Sequence, residues 1–372
     1  MIRLVLAKFR YPALAPRKAP PERPRSRRRS ARAAVWSGAA AFAALTAGLA
    51  AAIDTTKPEW RDPEFALRLR QVRRWQTERP DRPVVAAFGS SRTQMGLSPA
   101  DMGFPDEPGA PLVFNFGYRA GRPLGAWLHF TRMMDAGVRP AAVLIQLAPA
   151  ELAVSRPAEE QYSSWAPRFS PGDVRRLTPL TRDPAVFPLK WAAARLNPWS
   201  TYRVAVLSDL LPEWQSPRQR LELEWERMDE YGFSPHPSSV IPADVRLATE
   251  KVMRAKHARS LNAFVPADMA RSLHGDVVAR CRAEGVAVAF FWAPTSPKYR
   301  SWYSPASLAA VEEYGRWLAA EHQVVVFPAA EHLEETDFAD GFHLLRGGAG
   351  KYSRWLADKH LQPWLASIGL AK

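Results

Sequence analysis

The chain has 372 residues, of which 47% are hydrophobic, and a formal net charge of +14 at pH 7. This length favours two domains or one enlarged α/β domain with a full hydrophobic core. Cys281 is the single cysteine, which excludes an intramolecular disulfide, and its place in an apolar helical pattern predicts a buried structural thiol.

The positive charge is concentrated at the N-terminus. Residues 1–32 contain eleven Lys or Arg and one acidic residue, a net charge of +10, so the rest of the chain carries only +4. This block directly precedes an apolar segment, and it therefore indicates membrane topology and attraction to anionic lipid. We expect no nucleic-acid partner.

The apolar segment Ala33–Ile53 has 21 residues without a charge. As a helix it spans roughly 31 Å, about the thickness of a hydrocarbon core. The positive-inside rule then places the N-terminus in the cytoplasm and the main domain outside the cell membrane, as a single-pass protein. Two alternatives remain, because the segment is mostly alanine and Gly48–Ala52 suits signal peptidase: a cleaved signal peptide, or a soluble alanine-rich helix.

A β-branched apolar run, Val84–Phe88, ends in Gly89-Ser90-Ser91. This pattern predicts a buried parallel strand that breaks into a tight turn. Reacting groups of open α/β sheets lie at the carboxyl ends of the strands, so a serine in this turn is a candidate nucleophile.

A nucleophilic serine needs a base and a group that orients the base. His343 follows the predicted strand Val324–Phe327, and Asp340 precedes it by three residues, so both fit on one turn of chain. Asp337 is an alternative acid that needs a less local arrangement. We expect the remaining histidines to be surface or helix residues: His129, His236, His257, His274, His322, His332 and His360.

Gly89-Ser90-Ser91 and Asp340-x-x-His343 resemble the first and last blocks of the SGNH (GDSL-like) hydrolase and acyltransferase superfamily. The serine block behind a membrane segment is similar to envelope proteins of D-alanyl transfer and polysaccharide O-acetylation. The resemblance implies that Ser91 is the nucleophile and that Ser90 stands at the position of the family's aspartate. The sequence alone does not decide whether Ser90 or Ser91 is the nucleophile.

The resemblance also implies an oxyanion hole. Its donors would be the backbone N–H of Ser91 and that of Gly117 or Gly121. The family's usual spacing from the asparagine to the glycine of this block would end one residue before Gly121. The family's third block supplies an asparagine donor, but this chain has Ala148-Pro149-Ala150-Glu151 there. One such donor is worth ~2.7–4 kcal/mol of transition-state stabilisation.

The other elements repeat strand and helix. Predicted strands cover Leu112–Phe114, Ala142–Leu147 and Val286–Phe291, and predicted helices cover Trp60–Gln76, Pro123–Ala136, Pro266–Glu284, Ala306–Glu321 and Gly347–Leu365. This alternation predicts a three-layer α/β/α domain with a mostly parallel sheet of about five strands, a helical insertion and an N-terminal transmembrane helix.

We expect six segments along the chain: a disordered basic cytoplasmic tail at 1–32, a transmembrane signal anchor at 33–53, a juxtamembrane helical linker at 54–82, an SGNH-like domain at 83–152 and 263–372, and between its two parts a helical insertion or lid at 153–262. Predicted helices of the insertion are Val186–Leu196 and Tyr202–Leu211. Its tryptophans suit either packing or stacking on sugar rings: Trp165, Trp191, Trp199, Trp214 and Trp225.

The loop after Val286–Phe291 should lie at the same edge of the sheet as the serine. Arg300, Trp302 and Tyr303 in this loop are candidates for substrate binding, through an anionic group or a sugar face. A structural salt bridge is an equal alternative for Arg300. The sequence has no metal-ligand spacing and no phosphate-binding loop, and we expect neither metal nor cofactor.

The resemblance implies a membrane-anchored, extracytoplasmic serine acyltransferase or esterase that acts on acyl groups of cell-envelope glycans or lipids. A membrane-bound O-acyltransferase would be its natural partner. The alternative is a non-catalytic envelope assembly protein that keeps the fold and binds glycan or a membrane partner.

Overall fold

The computed structural model describes residues 25–153, 163–180, 183–216 and 224–371. These residues fall into two units, which divide between Gly48 and Leu49. Helix α1 (Arg25–Thr55) provides the described part of the first unit. Its portion Arg29–Thr55, with a mean hydropathy of 1.5, is long and apolar enough to cross a membrane.

Helix α1 begins before the predicted anchor. The predicted disordered tail falls largely on residues 1–24, which lie outside the described residues, but residues 25–32 are helical. Arginine and alanine both favour the helix, so α1 extends past the apolar segment into the basic one.

The second unit is built on a parallel sheet whose strands are β1 (Val84–Gly89), β2 (Leu112–Gly117), β3 (Ala142–Leu147), β4 (Ala287–Trp292) and β5 (Val325–Phe327). The strand order is β2-β1-β3-β4-β5, and every pairing is parallel. The predicted five-strand α/β architecture is confirmed. Because the chain adds β2 on one side of β1 and β3 on the other, the ends of β1 border the crevice where doubly wound sheets bind ligands.

The helices of this unit are α2 (Pro63–Glu78), α3 (Ser91–Gly96), α4 (Arg122–Asp135), α5 (Pro149–Leu152), α6 (Pro171–Leu177), α7 (Val186–Leu196), α8 (Pro198–Leu210), α9 (Ala243–Asn262), α10 (Asp268–Ala283), α11 (Pro297–Arg300), α12 (Pro305–His322), α13 (Arg346–Leu356) and α14 (Gln362–Ser367). Short 3₁₀ turns cover Pro58–Trp60, Pro99–Met102, Ser163–Arg168, Thr178–Leu180, Pro212–Trp214, Glu224–Arg227 and Glu335–Asp337.

Both faces of the sheet are buried, because side chains alternate along each strand. On β1, Phe88 points into a core that includes α2, α4, α10 and α12, whereas Val85 and Ala87 point into a core that includes α13 and α14. Cys281 lies in the first core, as predicted, and burial raises the pKa of its thiol to about 12.

The last predicted helix is one continuous element with a local widening. A π-helical turn, Ala357–Leu361, separates α13 from α14. Pro363 in the first turn of α14 has no N–H to donate to the preceding turn, which accounts for the local change in hydrogen bonding.

Helix α2 belongs to the domain and is not a separate linker. Phe65, Val72 and Trp75 lie in the first core. The fully buried Arg68 donates from Nε to the carbonyl of Asn115 (3.0 Å) on β2 and from Nη1 to Glu64 (3.4 Å). Residues predicted as a juxtamembrane linker therefore complete one layer of the α/β/α sandwich.

The predicted insertion separates into two parts. Residues of α6 and α7 pack with Leu124 and Leu128 of α4 in a satellite cluster. The later part runs beside the edge strand β2, where the N–H of Asn115 donates to the carbonyl of Tyr231 (2.8 Å). Residues 154–162, 181–182 and 217–223 of the predicted insertion lie outside the described residues.

A buried histidine makes the stability of the fold depend on pH. His274 is 1% exposed, and its Nδ1 lies 2.9 Å from the hydroxyl of Tyr314. Burial, followed by the proximity of His322, lowers the pKa of His274 from 6.5 to about 3. The unfolded chain thus binds this proton at a higher pH than the folded chain does. The contribution of neutral His274 to the free energy of unfolding is therefore complete above about pH 6.5 and is lost as the pH falls towards about 3.

We therefore expect His274→Gln to flatten the pH dependence of the free energy of unfolding across that range, because glutamine does not titrate. Urea denaturation at a series of pH values tests this. An unchanged slope in the variant would contradict the assignment.

Candidate active site

The turn after β1 places two serines at the start of helix α3. Ser90 is the N-cap residue, and its Oγ accepts a hydrogen bond from the N–H of Arg92 (3.2 Å). Gly89 permits the turn, because a Cβ there would lie 2.1 Å from Oγ1 of Thr93 and 2.6 Å from Cβ of Gln146. Ser91 begins α3 and is half-buried.

Ser91, His343 and Asp340 form a continuous hydrogen-bonded chain. The Oγ of Ser91 lies 2.8 Å from Nε2 of His343, and Nδ1 of His343 lies 2.7 Å from Oδ2 of Asp340. With Asp340 ionised, Nδ1 carries the proton and Nε2 is left to accept the hydroxyl proton of Ser91. The structure brings together the three residues that the sequence suggested.

A short closed loop holds the acid and the base together. The N–H of Ala339 donates to the carbonyl of His343 (2.8 Å), and Gly341 between them has a φ of +91°, which favours glycine. The N–H of Ser296 donates to the carbonyl of Gly341 (2.8 Å) and ties this loop to the segment that follows β4.

Asp340 is held in its ionised form. Burial acts against the charge, but hydrogen bonds from the His343 side chain and from the N–H groups of His343 (2.9 Å) and Phe342 (3.3 Å) outweigh it and lower the pKa of Asp340. The alternative acid, Asp337, instead accepts from Nζ of Lys351 (2.8 Å) and from the N–H of Glu334 (2.9 Å).

Ser90 has a different environment from that of Ser91. Its side chain is buried, and its hydroxyl donates to Oε1 of Glu151 (2.6 Å). Nε2 of Gln146 donates to Oγ of Ser90 (3.0 Å) and to Oε2 of Glu151 (2.9 Å). A carboxylate therefore holds Ser90, whereas an imidazole faces Ser91, which favours Ser91 as the nucleophile.

Gln146 on β3 supports the serine turn from below. Its Oε1 accepts from the N–H of Ser90 (3.1 Å), the N–H of Thr93 (2.9 Å) and the hydroxyl of Thr93 (2.6 Å). Sequence reasoning did not select Gln146, and it noted Glu151 only as a departure from the family pattern. Both residues act through hydrogen bonds to the serine turn, from which they are separated by 53 to 61 residues in the chain.

We expect Gln146→Met to lower the free energy of unfolding by several kcal/mol, because it removes the acceptor of three buried donors at about 1–3 kcal/mol for each group left unpaired. Chemical denaturation measures this. The matched control, Gln76→Met, removes one hydrogen bond to the carbonyl of Arg139 on the surface and should cost less than about 1 kcal/mol. Equal effects of the two substitutions would contradict this role.

The predicted oxyanion glycines do not supply free donors. The N–H of Gly117 donates to Oδ1 of Asn115 (2.7 Å), and that of Gly121 donates to the carbonyl of Tyr118 (2.8 Å). Each N–H has one hydrogen, so neither is available for an oxyanion. Gly117 is instead required by packing, because a Cβ there would lie 2.2 Å from the backbone nitrogen of Gln94.

Two backbone donors at this edge are available: the N–H of Ser91, which the sequence suggested, and the N–H of Ala120. Ser91 is the first residue of α3, so its N–H has no partner within the helix, and exposed Ala120 lies in the turn after β2 with a φ of +59°. Within the part of the chain that the structure describes, neither N–H has a hydrogen-bond partner. The Tyr118 N–H donates to the carbonyl of Gly89 (3.0 Å), which brings this turn beside the serine turn.

The predicted substrate-binding residues lie in and after α11. Nη1 of Arg300 forms an ion pair with Glu331 (2.9 Å), in line with the structural alternative for this residue. Trp302 packs against Tyr299, with ring centroids 5.2 Å apart, and Arg254 lies over its ring. Arg300 and Tyr303 line a cavity of about 920 Å³ whose lining does not include the three residues of the Ser91 chain.

His257, which the sequence predicted only as a surface or helix residue, lies in α9 and packs beside the loop that carries Asp340 and His343. Its ring centroid lies 5.1 Å from that of Phe342, and its Nδ1 lies 2.7 Å from the hydroxyl of Tyr299. Burial, together with the positive charges of Lys256, Arg92 and Arg122, lowers the pKa of His257 to about 4. It is therefore neutral at pH 7 and serves as a wall of the site.

Sequence reasoning missed Arg92. It follows Ser91 directly and is 5% exposed, and its Nη2 donates to the carbonyls of Ala293 (3.2 Å) and Pro294 (2.5 Å). Its guanidinium lies 5.7 Å from the centre of the Phe342 ring. Arg92 thus joins the serine helix to the carboxyl end of β4, and only the folded chain shows this contact.

Across the described ranges, no group of three or more His, Cys, Asp or Glu side chains is arranged to hold a metal ion. Comparison with protein-family models and with curated proteins found no match for this chain.

Proposed function

We propose that this protein is a membrane-anchored serine esterase or O-acyltransferase that acts on acyl groups of cell-envelope glycans or lipids. The observation that carries the proposal is the hydrogen-bonded chain from Ser91 through His343 to Asp340, at the carboxyl edge of a parallel sheet. The resemblance of the serine and histidine blocks to SGNH enzymes supports the substrate class, and the helix Arg29–Thr55 supports the anchor.

In the first half-reaction, Nε2 of His343 takes the proton of the Ser91 hydroxyl while Oγ attacks the acyl carbonyl carbon. The N–H groups of Ser91 and Ala120 would receive the negative charge that develops on the carbonyl oxygen. The tetrahedral intermediate then expels the alcohol, which takes the proton back from His343. The acyl group is left as an ester on Ser91.

In the second half-reaction, His343 takes a proton from an incoming hydroxyl, which attacks the ester on Ser91. The acyl group moves to that oxygen, and the proton returns to Ser91. Water as the acceptor gives hydrolysis, and a sugar hydroxyl gives transfer. Asp340 keeps the imidazole in one orientation through both halves and stabilises its positive charge.

One observation favours the non-catalytic alternative. Ala150 stands where the resemblance would place an asparagine donor, and the neighbouring Glu151 accepts hydrogen bonds and donates none in its ionised form. The remaining donors are then two backbone groups.

Covalent labelling tests the proposal. The detergent-solubilised protein should react with a fluorophosphonate probe at Ser91, and Ser91→Ala and His343→Ala should abolish the reaction. Ser90→Ala is the control and should still react. A folded wild-type protein that takes no label would favour the non-catalytic alternative.

A further inference from the structure

Helices α7 and α8 and the turn after them carry an exposed apolar surface. Leu196 is 80% exposed and Trp214 is 71% exposed, values typical of side chains in contact with solvent. Trp199 and Trp214 are the only tryptophans beyond α1 classed as exposed in the described parts of the chain. We define the α7–α8 surface by its five large exposed apolar side chains: Leu189, Leu196, Trp199, Leu210 and Trp214.

Other side chains of the same two helices pack against the C-terminal end of α1. Ala194, Tyr202 and Val206 form a buried cluster with Ile53 and Trp60, and the partly buried Leu49 packs against it. Leu49 and Ile53 belong to the apolar segment predicted to span the membrane, yet they lie in the same compact unit as the domain. The α7–α8 pair is thus fixed to the last turns of that segment.

Ion pairs fix this contact at the first charged residues after the apolar segment. Asp54 pairs with Nη2 of Arg195 on α7 (2.7 Å) and with Nη1 of Arg61 (3.1 Å). On α8, Asp209 accepts from Nε1 of Trp60 (2.8 Å) and lies 3.4 Å from Nζ of Lys57. Charged groups next to a membrane span lie at the boundary between hydrocarbon and water.

The composition of the surface suits a lipid headgroup region. Tryptophan is enriched at that depth because its ring is apolar and its N–H is polar, and leucine is typical of the apolar face of interfacial helices. The exposed cations Lys190 and Arg203 lie on the same two helices and can contact lipid phosphates. A solvent-facing surface would not need two exposed tryptophans among five large apolar side chains.

We propose that the α7–α8 surface lies in the headgroup region of the leaflet that α1 enters, with the lipid bilayer as its partner. This inference rests on α1 being the membrane span proposed above, and it does not depend on the chemistry of Ser91. It gives this part of the predicted insertion a membrane-docking role in place of a lid, since the described contacts of the loop that carries Asp340 and His343 involve α9 and not α7 or α8.

Depth-dependent quenching tests this inference. The full chain, reconstituted in phosphatidylcholine and phosphatidylglycerol vesicles, would carry one cysteine at a time for labelling with an environment-sensitive dye: Leu196→Cys, Trp199→Cys or Leu210→Cys. Native Cys281 is fully buried and should not take the dye in the wild type. Lipids with a nitroxide near the headgroup should quench the dye at all three positions.

Three controls make the result decisive. Val265→Cys and Ile368→Cys place the dye at exposed apolar positions outside α7 and α8. At these two positions the nitroxide lipids should leave the dye emission unchanged, whereas iodide in the aqueous phase should quench it. Leu45→Cys in α1 reports insertion, through quenching by a nitroxide deep in the acyl chain. Quenching at Leu45 without headgroup quenching at the three α7–α8 positions would overturn the inference.

Absence of quenching at Leu45 would overturn it too, because α1 would then not be inserted. Fluorophosphonate labelling of Ser91 in detergent is independent of both results, so this inference and the proposed chemistry can fail separately.

Discussion

Ser91→Ala should lower the rate of ester hydrolysis by about 10⁴- to 10⁶-fold, the loss seen when the nucleophile of a serine triad is removed. The reason is geometric: the Ser91 hydroxyl lies 2.8 Å from Nε2 of His343, whereas the hydroxyl of Ser90, the other serine of the turn, donates to Glu151. Hydrolysis of 4-nitrophenyl acetate by the purified full chain in detergent measures the effect.

Ser90→Ala is the matched control, because it removes the same atom from the neighbouring residue. It should retain the chemistry while lowering the free energy of unfolding by about 0.5–2 kcal/mol, since Ser90 caps α3. If Ser90→Ala abolished hydrolysis and Ser91→Ala did not, the assignment of the nucleophile would be reversed.

Asp340→Asn should lower the turnover of the same ester by about 10⁴-fold without unfolding the loop. The amide oxygen of asparagine can still accept from the N–H groups of Phe342 and His343, so the backbone of the loop should be kept. The amide group, however, donates to Nδ1 and leaves the imidazole proton on Nε2, where it faces Ser91 and cannot accept its proton. The steady-state rate, together with a thermal melting curve, separates this loss from unfolding.

Asp337→Asn is the control for Asp340→Asn. Asp337 pairs with Lys351 and caps a short turn, so its replacement should reduce stability modestly and leave turnover within about tenfold of the wild type. A loss of turnover as large as that of Asp340→Asn would mean that Asp337 is the orienting acid.

The strands were predictable because both faces of the sheet are buried, so each strand is a short apolar run such as Val84–Phe88 with a turn signal after it. The grouping of Ser91, His343 and Asp340 was predictable for a related reason. Parallel strands end at one edge, and Asp340 and His343 are local partners three residues apart. Both the strands and the pairing of Asp340 with His343 were therefore predicted from residues that are close together in the sequence.

The remainder depends on contacts between distant residues. Gln146 and Glu151 support Ser90 across more than 50 residues, and no local pattern marks them. The hydrogen bonds of the two predicted glycines could not be judged from the sequence, because the use of an N–H depends on turn geometry: Gly117 and Gly121 donate within the fold, whereas the exposed Ala120 does not. The packing of α7 and α8 on Ile53 and Trp60 was equally invisible in the sequence, which predicted only a helical insertion or lid for this part of the chain.

If Ser91 is an activated nucleophile, an acyl group can be trapped on it. The full chain would be mixed with 4-nitrophenyl acetate, quenched in acid and digested for mass spectrometry. We expect one acetyl group on Ser91 in the wild type and in Ser90→Ala, and none at this turn in His343→Ala. An acetyl group on Ser90, or equal acetylation in His343→Ala, would contradict it.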